Sequence, residues 1–323
     1  MPKPSHLAAL GVGPETTRGD AATPTIWVPW TTLTPTDNVA QVEDTGQRGS
    51  TVDVYGLTPG KKGSELDLGG AVFADSFGFP LASVLADVTT TGNGTSTPYA
   101  HTFGTLNSGD TQPSGQTWTI DDPLGCWQYA GMQCSELGLA WNADGLLMWT
   151  AKYAGWTYAE LEDPPEKSFS GTLPIPNWAT VTKLNSAAVF VLEGSLSIKR
   201  SVTAIQGPDG TQNPYAMWSG DVVTDGKLTL VPENTDWRTA YQEGTSTAVG
   251  FGFTTGTGLA TSALALALSH AKITEGTPTY GQDYIEQPIT FRGVGNTSDV
   301  GASGGYGAVT ASLTNTLPAG TYT

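Results

Sequence analysis

The stretch LGLAWNADGLLMWTAKY, residues 137–153, decides the class of fold that we predict for this chain. In its first half, Leu137, Leu139 and Trp141 alternate with small or polar residues. After a turn-forming segment at 142–145, the apolar positions return at Leu147, Trp149, Ala151 and Tyr153. Side chains alternate between the two faces of a strand, so this stretch predicts an antiparallel hairpin with one buried, aromatic face.

Similar patterns extend outward from this hairpin in both directions. Further alternating or apolar segments lie at 25–28, 99–106, 116–120, 196–202, 222–224, 227–230, 263–273, 285–292 and 309–313. A two-residue turn is expected at Asp225-Gly226, and short helices are expected only at 79–88 and 235–243. Because strands and helices do not alternate regularly, we predict a mainly β protein. Its expected form is an antiparallel β-sandwich or partial barrel with one or two short flanking helices and a long hairpin.

The long hairpin is expected within residues 39–73. Its turn is predicted at 58–63, where proline and glycine supply turn chemistry. This prediction puts Lys61 and Lys62 at the tip of the hairpin.

Two alternating segments of this hairpin, 51–55 and 65–68, separate acidic from apolar side chains. Asp53, Glu65 and Asp67 fall on one face. The opposite face is apolar and consists of Val52, Val54, Leu66 and Leu68. The hairpin is therefore expected to present a carboxylate-bearing polar face.

Composition divides the chain into three expected parts. Residues 1–24 are rich in proline and lack periodicity, which indicates an extended N-terminal arm. Residues 25–292 form the expected β domain, with a proline-rich crossover near 162–186. Residues 293–323 are expected to be a glycine-rich loop and a C-terminal tail, and 91–115 to be loops around one short strand.

The charge of the chain is strongly acidic, with 14 basic residues against 30 acidic ones and a net charge of −16. Affinity for nucleic acid needs clustered Lys and Arg, so this balance argues against it. Two interpretations stay open: the charge maintains solubility, or it belongs to a surface that repels polyanions.

Cysteine usage and hydropathy indicate a protein made in the cytoplasm. Two cysteines, Cys126 and Cys134, are too few for a disulfide framework and are expected to be buried free thiols. The N-terminus lacks the pattern of a signal peptide, and the most apolar segment, 262–271, is too short to span a membrane.

No sequence motif makes a convincing case for catalysis, metal binding or cofactor binding. The segment 301–305 matches the nucleophile-elbow pattern but lies in polar, glycine-rich surroundings. The three histidines lack metal-ligand spacing; they are His6, His101 and His270. The carboxylate pairs at 43–44 and 121–122 are expected to be solvated turn residues. We therefore expect no enzyme and no cofactor.

Several features occur in an order that points to one family. The opening GPETTRGDAATP at 13–24 is followed by an acidic segment and a Gly-x-Arg at 43–49. The series continues with the helix at 79–88, the strand at 196–200 and the segment at 220–223. Together these features resemble the major tail tube proteins of long-tailed, siphovirus-like bacteriophages, over about residues 11–292.

The resemblance implies a β-sandwich whose hairpin and neighbouring strands join those of other subunits. Six copies would form a ring around a lumen, and rings would stack into a virion tail tube assembled in the host cytoplasm. The implied partners are further copies, the tape measure protein, the tail terminator and distal tail proteins. DNA would pass through the lumen without specific binding. Asp53, Glu65 and Asp67 are then candidates to line the lumen, and Lys61 and Lys62 to contact a neighbouring subunit.

Two alternatives stay open at this point. The content of Trp and Tyr, ten and eleven residues, is also typical of a carbohydrate-binding or glycan-processing β-sandwich. Another virion component, such as a tail terminator or a capsid decoration protein, would form defined rings or trimers without indefinite stacking.

Overall fold

The computed structural model describes residues 2–107, 112–280 and 283–323, and β-strands predominate in it. The strands are β1 (Ala9–Pro14), β2 (Ile26–Val28), β3 (Thr32–Asp44), β4 (Gly56–Ala71), β5 (Ala86–Thr91), β6 (Tyr99–Thr105), β7 (Gln116–Asp122), β8 (Gly125–Asn142), β9 (Met148–Gly155), β10 (Ala159–Glu160), β11 (Thr180–Leu184), β12 (Ala187–Val189), β13 (Val191–Ile205), β14 (Ala216–Leu230), β15 (Thr247–Thr255), β16 (Ser262–Gly276), β17 (Gln287–Gly293) and β18 (Thr310–Asn315). The helices are α1 (Gly78–Leu85) and α2 (Asp236–Glu243). Short 3₁₀ turns lie at Ser5–Leu7, Asn177–Ala179 and Gly258–Ala260.

Most of the strands form two antiparallel layers. Sheet I has the order β3-β4-β9-β8-β13-β14-β17. Sheet II has the order β12-β11-β15-β16-β18-β6-β5. The C-terminal end of β16 also pairs with β17, which joins the two sheets. The prediction of a mainly antiparallel β protein with two short helices is confirmed.

Aromatic side chains fill the space between the sheets. Trp141 of sheet I meets Phe251 and Phe253 of sheet II edge to face, at ring-centroid distances of 4.9 and 5.4 Å. Trp141 belongs to the aromatic face of the β8–β9 hairpin, which the alternation at 137–153 predicts. These contacts make the two sheets a sandwich with one apolar core.

A third, smaller sheet has the order β2-β1-β7-β8-β10 and uses the N-terminal half of β8. Within it, Leu10 and Val12 of β1 are fully buried. The prediction of an extended arm is therefore wrong for residues 9–14. Glycines hide the strand pattern there: a Cβ on Gly11 would lie 2.8 Å from Pro24 Cβ, and one on Gly13 would lie 2.4 Å from Thr23 O.

The long hairpin exists, but its turn is not where the sequence predicts it. β3 pairs with β4 from Thr32 opposite Gly69 to Asp44 opposite Gly56, so the connection is 45–55. The predicted turn at 58–63 is wrong, and Lys61 and Lys62 lie inside β4. In this register Gly60 and Lys61 together face Ala40. The turn-like sequence thus marks a β-bulge in a continuous strand.

A second turn prediction also fails, because Asp225 and Gly226 lie inside β14. Gly226 points to the core, where an added Cβ would lie 2.1 Å from the ring of Phe291. Asp225 points the other way and pairs with Arg292 of β17. Here glycine serves close packing between the sheets, which sequence alone does not distinguish from a turn.

Both predicted helices are confirmed, although the first is shorter than expected. All eight residues of α1 are buried. It ends at Leu85 because Ala86 adopts a left-handed φ of 73° and begins β5. The structure describes no helix long and apolar enough to cross a membrane.

The C-terminal segment enters the core. β18 lies between β16 and β6, which confirms the predicted strand at 309–313. The ring of Tyr322 is buried, with centroids 5.1 Å from Phe79 and 4.9 Å from His101. The tail is therefore anchored. Apart from the strand at 9–14, the division of the chain into arm, β domain and tail stays a prediction, and residues 108–111 of the expected loop lie outside the described residues.

Candidate assembly and lumen surfaces

The hairpin extends beyond its neighbouring strand in sheet I. β4 pairs with β9 only from Ser64 to Ala71, so residues 38–44 and 56–63 form a two-stranded ribbon. Nearly every side chain of this part of β3 is exposed. Exposed apolar side chains occur on the ribbon and its connection, at Val39, Val42, Val52 and Leu57. An isolated two-stranded ribbon is marginally stable, so this one is suited to pack against another molecule.

Sheet I has an open strand edge on each side. Among the described strands, β3 pairs only with β4, which leaves its other edge without a strand partner. At the far side, β17 covers β14 only from Asp225 to Leu230. Within the described residues, 216–224 of β14 therefore pair with β13 alone, while the Ser219 N–H donates to the side chain of Gln112 at 2.9 Å. Unpaired N–H and C=O groups along such edges are a template for adding a strand from another chain.

The outer face of sheet I, which points away from sheet II, contains a groove. Small residues on two adjacent strands leave space there; they are Gly138, Ala140, Ser195 and Ser197. One part of the groove has a volume of about 390 Å³, and it continues into a second part of about 530 Å³ past Met148 and Lys227. The groove gives this face a concave surface.

Charged side chains of both signs cover this outer face. The carboxylates are Glu65, Asp67, Glu136, Glu193, Asp225 and Glu275. The cations are Lys152, Lys199, Lys227, Lys272 and Arg292. Six carboxylates against five cations make the face nearly balanced, although the whole chain carries −16. Sequence reasoning missed these cations, yet each occupies the position next to a buried residue in an alternating strand.

Cross-strand ion pairs organise these charges. Glu136 forms ion pairs with a lysine on either side, with Nζ–O distances of 3.1 Å to Lys199 and 3.6 Å to Lys152. Burial raises the pKa of Glu136, but the hydrogen bond and charge of Lys199, with those of Lys152, outweigh it and leave the pKa lowered. Arg292 donates from Nε to Asp225 at 2.8 Å, and this contact raises the pKa of Arg292.

The structure brings together two of the three predicted lumen residues. Glu65 and Asp67 are exposed on the outer face of sheet I, and Asp67 lies opposite Lys152. Asp53 lies in the connection 45–55 and not on a strand. Whether any of them lines a lumen stays a prediction.

Lys61 and Lys62 lie on the ribbon, beside another segment of the same chain. The Lys62 N–H donates to Gln212 O at 2.8 Å, and the Lys62 carbonyl accepts from Gln206 Nε2 at 3.1 Å. The loop between β13 and β14 thus covers part of the β4 edge, while the side chain of Lys61 is exposed. Their predicted contact with a neighbouring subunit stays a prediction.

The side chains that could act as nucleophiles, two cysteines and Ser303, are buried or make contacts within the fold. Cys126 and Cys134 are buried free thiols, as predicted. Burial, with a smaller effect of Asp121, raises the pKa of Cys126 to about 11, which disfavours the reactive thiolate. Ser303 contacts Asn107 and Asp87. In the described ranges, no three His, Cys, Asp or Glu residues are grouped to hold a metal.

Comparison with known proteins supplies one match. The family model described as phage tail tube protein matches residues 5–293. It covers the small sheet, sheet I and most of sheet II, and it ends with β17. No curated protein matches the chain.

Proposed function

Because this chain belongs to the phage tail tube protein family, we propose that six copies form a ring and that rings stack into a tube conducting phage DNA during ejection. Family membership makes the chain a structural protein of the virion tail that assembles with itself. The proposal also includes the ring of six, the DNA conduit, a long siphovirus-like tail, assembly in the host cytoplasm and the absence of enzymatic activity. The observation that carries it is the pair of open edges on the two sides of sheet I.

The two open edges could join neighbouring copies head to tail and so close a ring. A head-to-tail contact between two different surfaces generates a ring when its rotation closes. The β3 edge of one copy and the 216–224 edge of β14 in the next copy are two such surfaces. Antiparallel or parallel pairing between them would continue sheet I from copy to copy and remove both open edges.

The outer face of sheet I then lines the lumen. Its concave groove and its charged side chains would face passing DNA, with Glu65 and Asp67 among them. Asp53 would lie at the end of the ribbon, towards a neighbouring ring. Such a surface offers no excess of positive charge for phosphate groups.

The ribbon provides the contact between rings. Its exposed apolar side chains and Lys61 would be covered by the next ring of the stack. At the two ends of the tube, the same surfaces would meet the tail terminator and the distal tail proteins. The tape measure protein would occupy the lumen before DNA does.

No specific observation favours the glycan-binding alternative. Eight of the 21 Trp and Tyr residues that suggested it are buried, including Trp118, Trp141 and Trp149. The exposed tryptophans, Trp178 and Trp218, lie on a 3₁₀ turn and on β14, in different parts of the chain. A glycan-binding groove needs exposed aromatic side chains side by side.

Disulfide cross-linking tests the ring directly. Thr36→Cys on β3 and Asp221→Cys on β14 place one thiol on each open edge, and both positions are exposed. Under oxidation, the double variant should form a ladder of covalent oligomers that ends at the hexamer. Each single variant should give no such ladder, and the buried native thiols do not compete.

The matched control moves one thiol to sheet II, in Thr36→Cys with Lys183→Cys on the exposed surface of β11. Negative-stain images of the same preparations should show rings or tubes. A protein that stays monomeric by both measurements at high concentration and binds glycans would refute the proposal. Ladders that end at three, without stacking, would favour a decoration protein.

A further inference from the structure

The outer face of sheet I carries a set of cations that is large enough to bind a polyanion. Its five Lys and Arg side chains come from β9, β13, β14, β16 and β17. Proteins bind nucleic acid by placing several such side chains against phosphates, each of which releases a counter-ion. A face for passing DNA would therefore hinder movement if all these cations were free.

Three of the five cations are held by two carboxylates. Glu136 lies between Lys152 and Lys199, because β8 runs between β9 and β13. The register puts Glu136 opposite both lysines, so one carboxylate contacts two ammonium groups at 3.6 and 3.1 Å. Backbone pairing thus makes Glu136 the cross-strand neighbour of both lysines.

The second carboxylate, Asp225, is also in register with its partner. Arg292 lies opposite it on β17 and donates two hydrogen bonds, at 2.8 and 3.4 Å. Lys227 and Lys272 have no carboxylate within 4 Å in the part of the chain that the structure describes. The face thus keeps two free cations out of five.

We propose that Glu136 and Asp225 are fixed counter-ions that prevent the basic side chains of this face from binding DNA phosphates. Each carboxylate occupies the position that a phosphate oxygen would otherwise take beside Lys152, Lys199 or Arg292. The outer face of sheet I is then non-adhesive through local pairing of charges rather than through a large negative charge. The assignment of this face to the lumen rests on the proposed function, whereas the pairing itself does not.

The test uses the purified full-length chain and a fluorescently labelled 20-base-pair DNA duplex. Binding is measured by anisotropy over a series of salt concentrations. The variant Glu136→Gln with Asp225→Asn keeps the shape of both side chains and removes two negative charges. The control, Glu160→Gln with Glu243→Gln, removes the same charge at exposed positions on β10 and α2.

The counter-ion variant should bind DNA at low salt much more tightly than the wild type and the control. Three additional phosphate contacts should steepen the slope of log K against log salt by up to about 2.7, at roughly 0.9 per contact. Adding Lys152→Gln and Lys199→Gln to this variant should remove most of the gain in DNA affinity. Circular dichroism should show that all the variants are folded.

Equal DNA affinity of the counter-ion variant and the control would overturn the proposal, as would a gain that survives the two lysine substitutions. The single variant Glu136→Gln gives a second measurement, because it frees only Lys152 and Lys199 and should steepen the slope by up to about 1.8. Because binding is measured on unassembled protein, its outcome is separate from the cross-linking result. A protein that stays monomeric in cross-linking and in negative stain would count against the ring, whereas the DNA-binding result for the counter-ions would still hold.

Discussion

The anchored C-terminal segment makes Tyr322 a quantitative test of how the core is completed. Its ring packs edge to face on Phe79 and His101, and its hydroxyl donates to Asp75 O at 2.8 Å. The same hydroxyl accepts from Asn315 Nδ2 at 2.8 Å. Both a packing contribution and a hydrogen-bond contribution can therefore be removed separately at one position.

Tyr322→Phe should lower the free energy of unfolding by about 1–2 kcal/mol, because Asp75 O loses its donor in a buried place. Tyr322→Ala should lower it by about 3–5 kcal/mol, since the ring leaves a cavity beside Phe79. Urea unfolding followed by tryptophan fluorescence measures both values. Tyr306→Ala is the matched control, because that ring is 66% exposed in the same part of the chain.

The order of these three variants is the critical result. If Tyr322→Ala destabilised the protein no more than Tyr306→Ala, the C-terminal segment would not be part of the core. If Tyr322→Phe were as damaging as Tyr322→Ala, the hydrogen bonds would account for the anchoring, and the packing argument would be wrong.

Three further predictions concern pH, the ribbon and the core. Burial lowers the pKa of His101 from 6.5, although its hydrogen bonds to Asn315 and Leu317 have the opposite effect. The unfolded chain therefore binds more protons than the folded one below that pH, and stability falls as the pH falls. The urea concentration at the unfolding midpoint should decrease when the pH is lowered from about 7 to about 5, and it should decrease less in His101→Gln. Replacing 45–55 by an Asn-Gly turn should preserve the circular dichroism spectrum and abolish tube formation, whereas intact tubes would exclude the ribbon connection as a contact between rings. Gly226→Ala should destabilise the chain by about 1–3 kcal/mol in urea unfolding, because the new Cβ meets Phe291, and unchanged stability would contradict the close packing there.

Alternating sequence predicted strands well wherever one face of a strand is buried. The β8–β9 hairpin is the clearest case, because Trp141 and Trp149 face a core and their neighbours face solvent. The same alternation predicts which strand positions face solvent, and the cations on the outer face of sheet I occupy such positions. What it lacked was the order of the strands, since Lys152, Glu136 and Lys199 become neighbours only when β9, β8 and β13 pair.

Glycine and proline were the main source of error in the sequence-based predictions. In a sequence pattern, a glycine indicates a turn. Glycine also occurs, however, where another part of the protein packs closely against the backbone. Gly226 and Gly13 are of this second kind, and Gly60 belongs to a bulge. Their roles depend on residues distant in sequence, such as Phe291 for Gly226, so a local pattern could not separate them from turns.

The position of β18 between β16 and β6 has a consequence for the timing of folding. The β5–β6 hairpin pairs with the rest of sheet II through β18, which is made about 200 residues later. At roughly 5 to 20 residues per second, synthesis of that interval takes roughly 10 to 40 seconds. Through this time β6 is paired with β5 but lacks β18, and sheet II is incomplete. A partly synthesised chain therefore has no finished sandwich to add to a growing tube, and the late strand delays assembly until the sandwich can close.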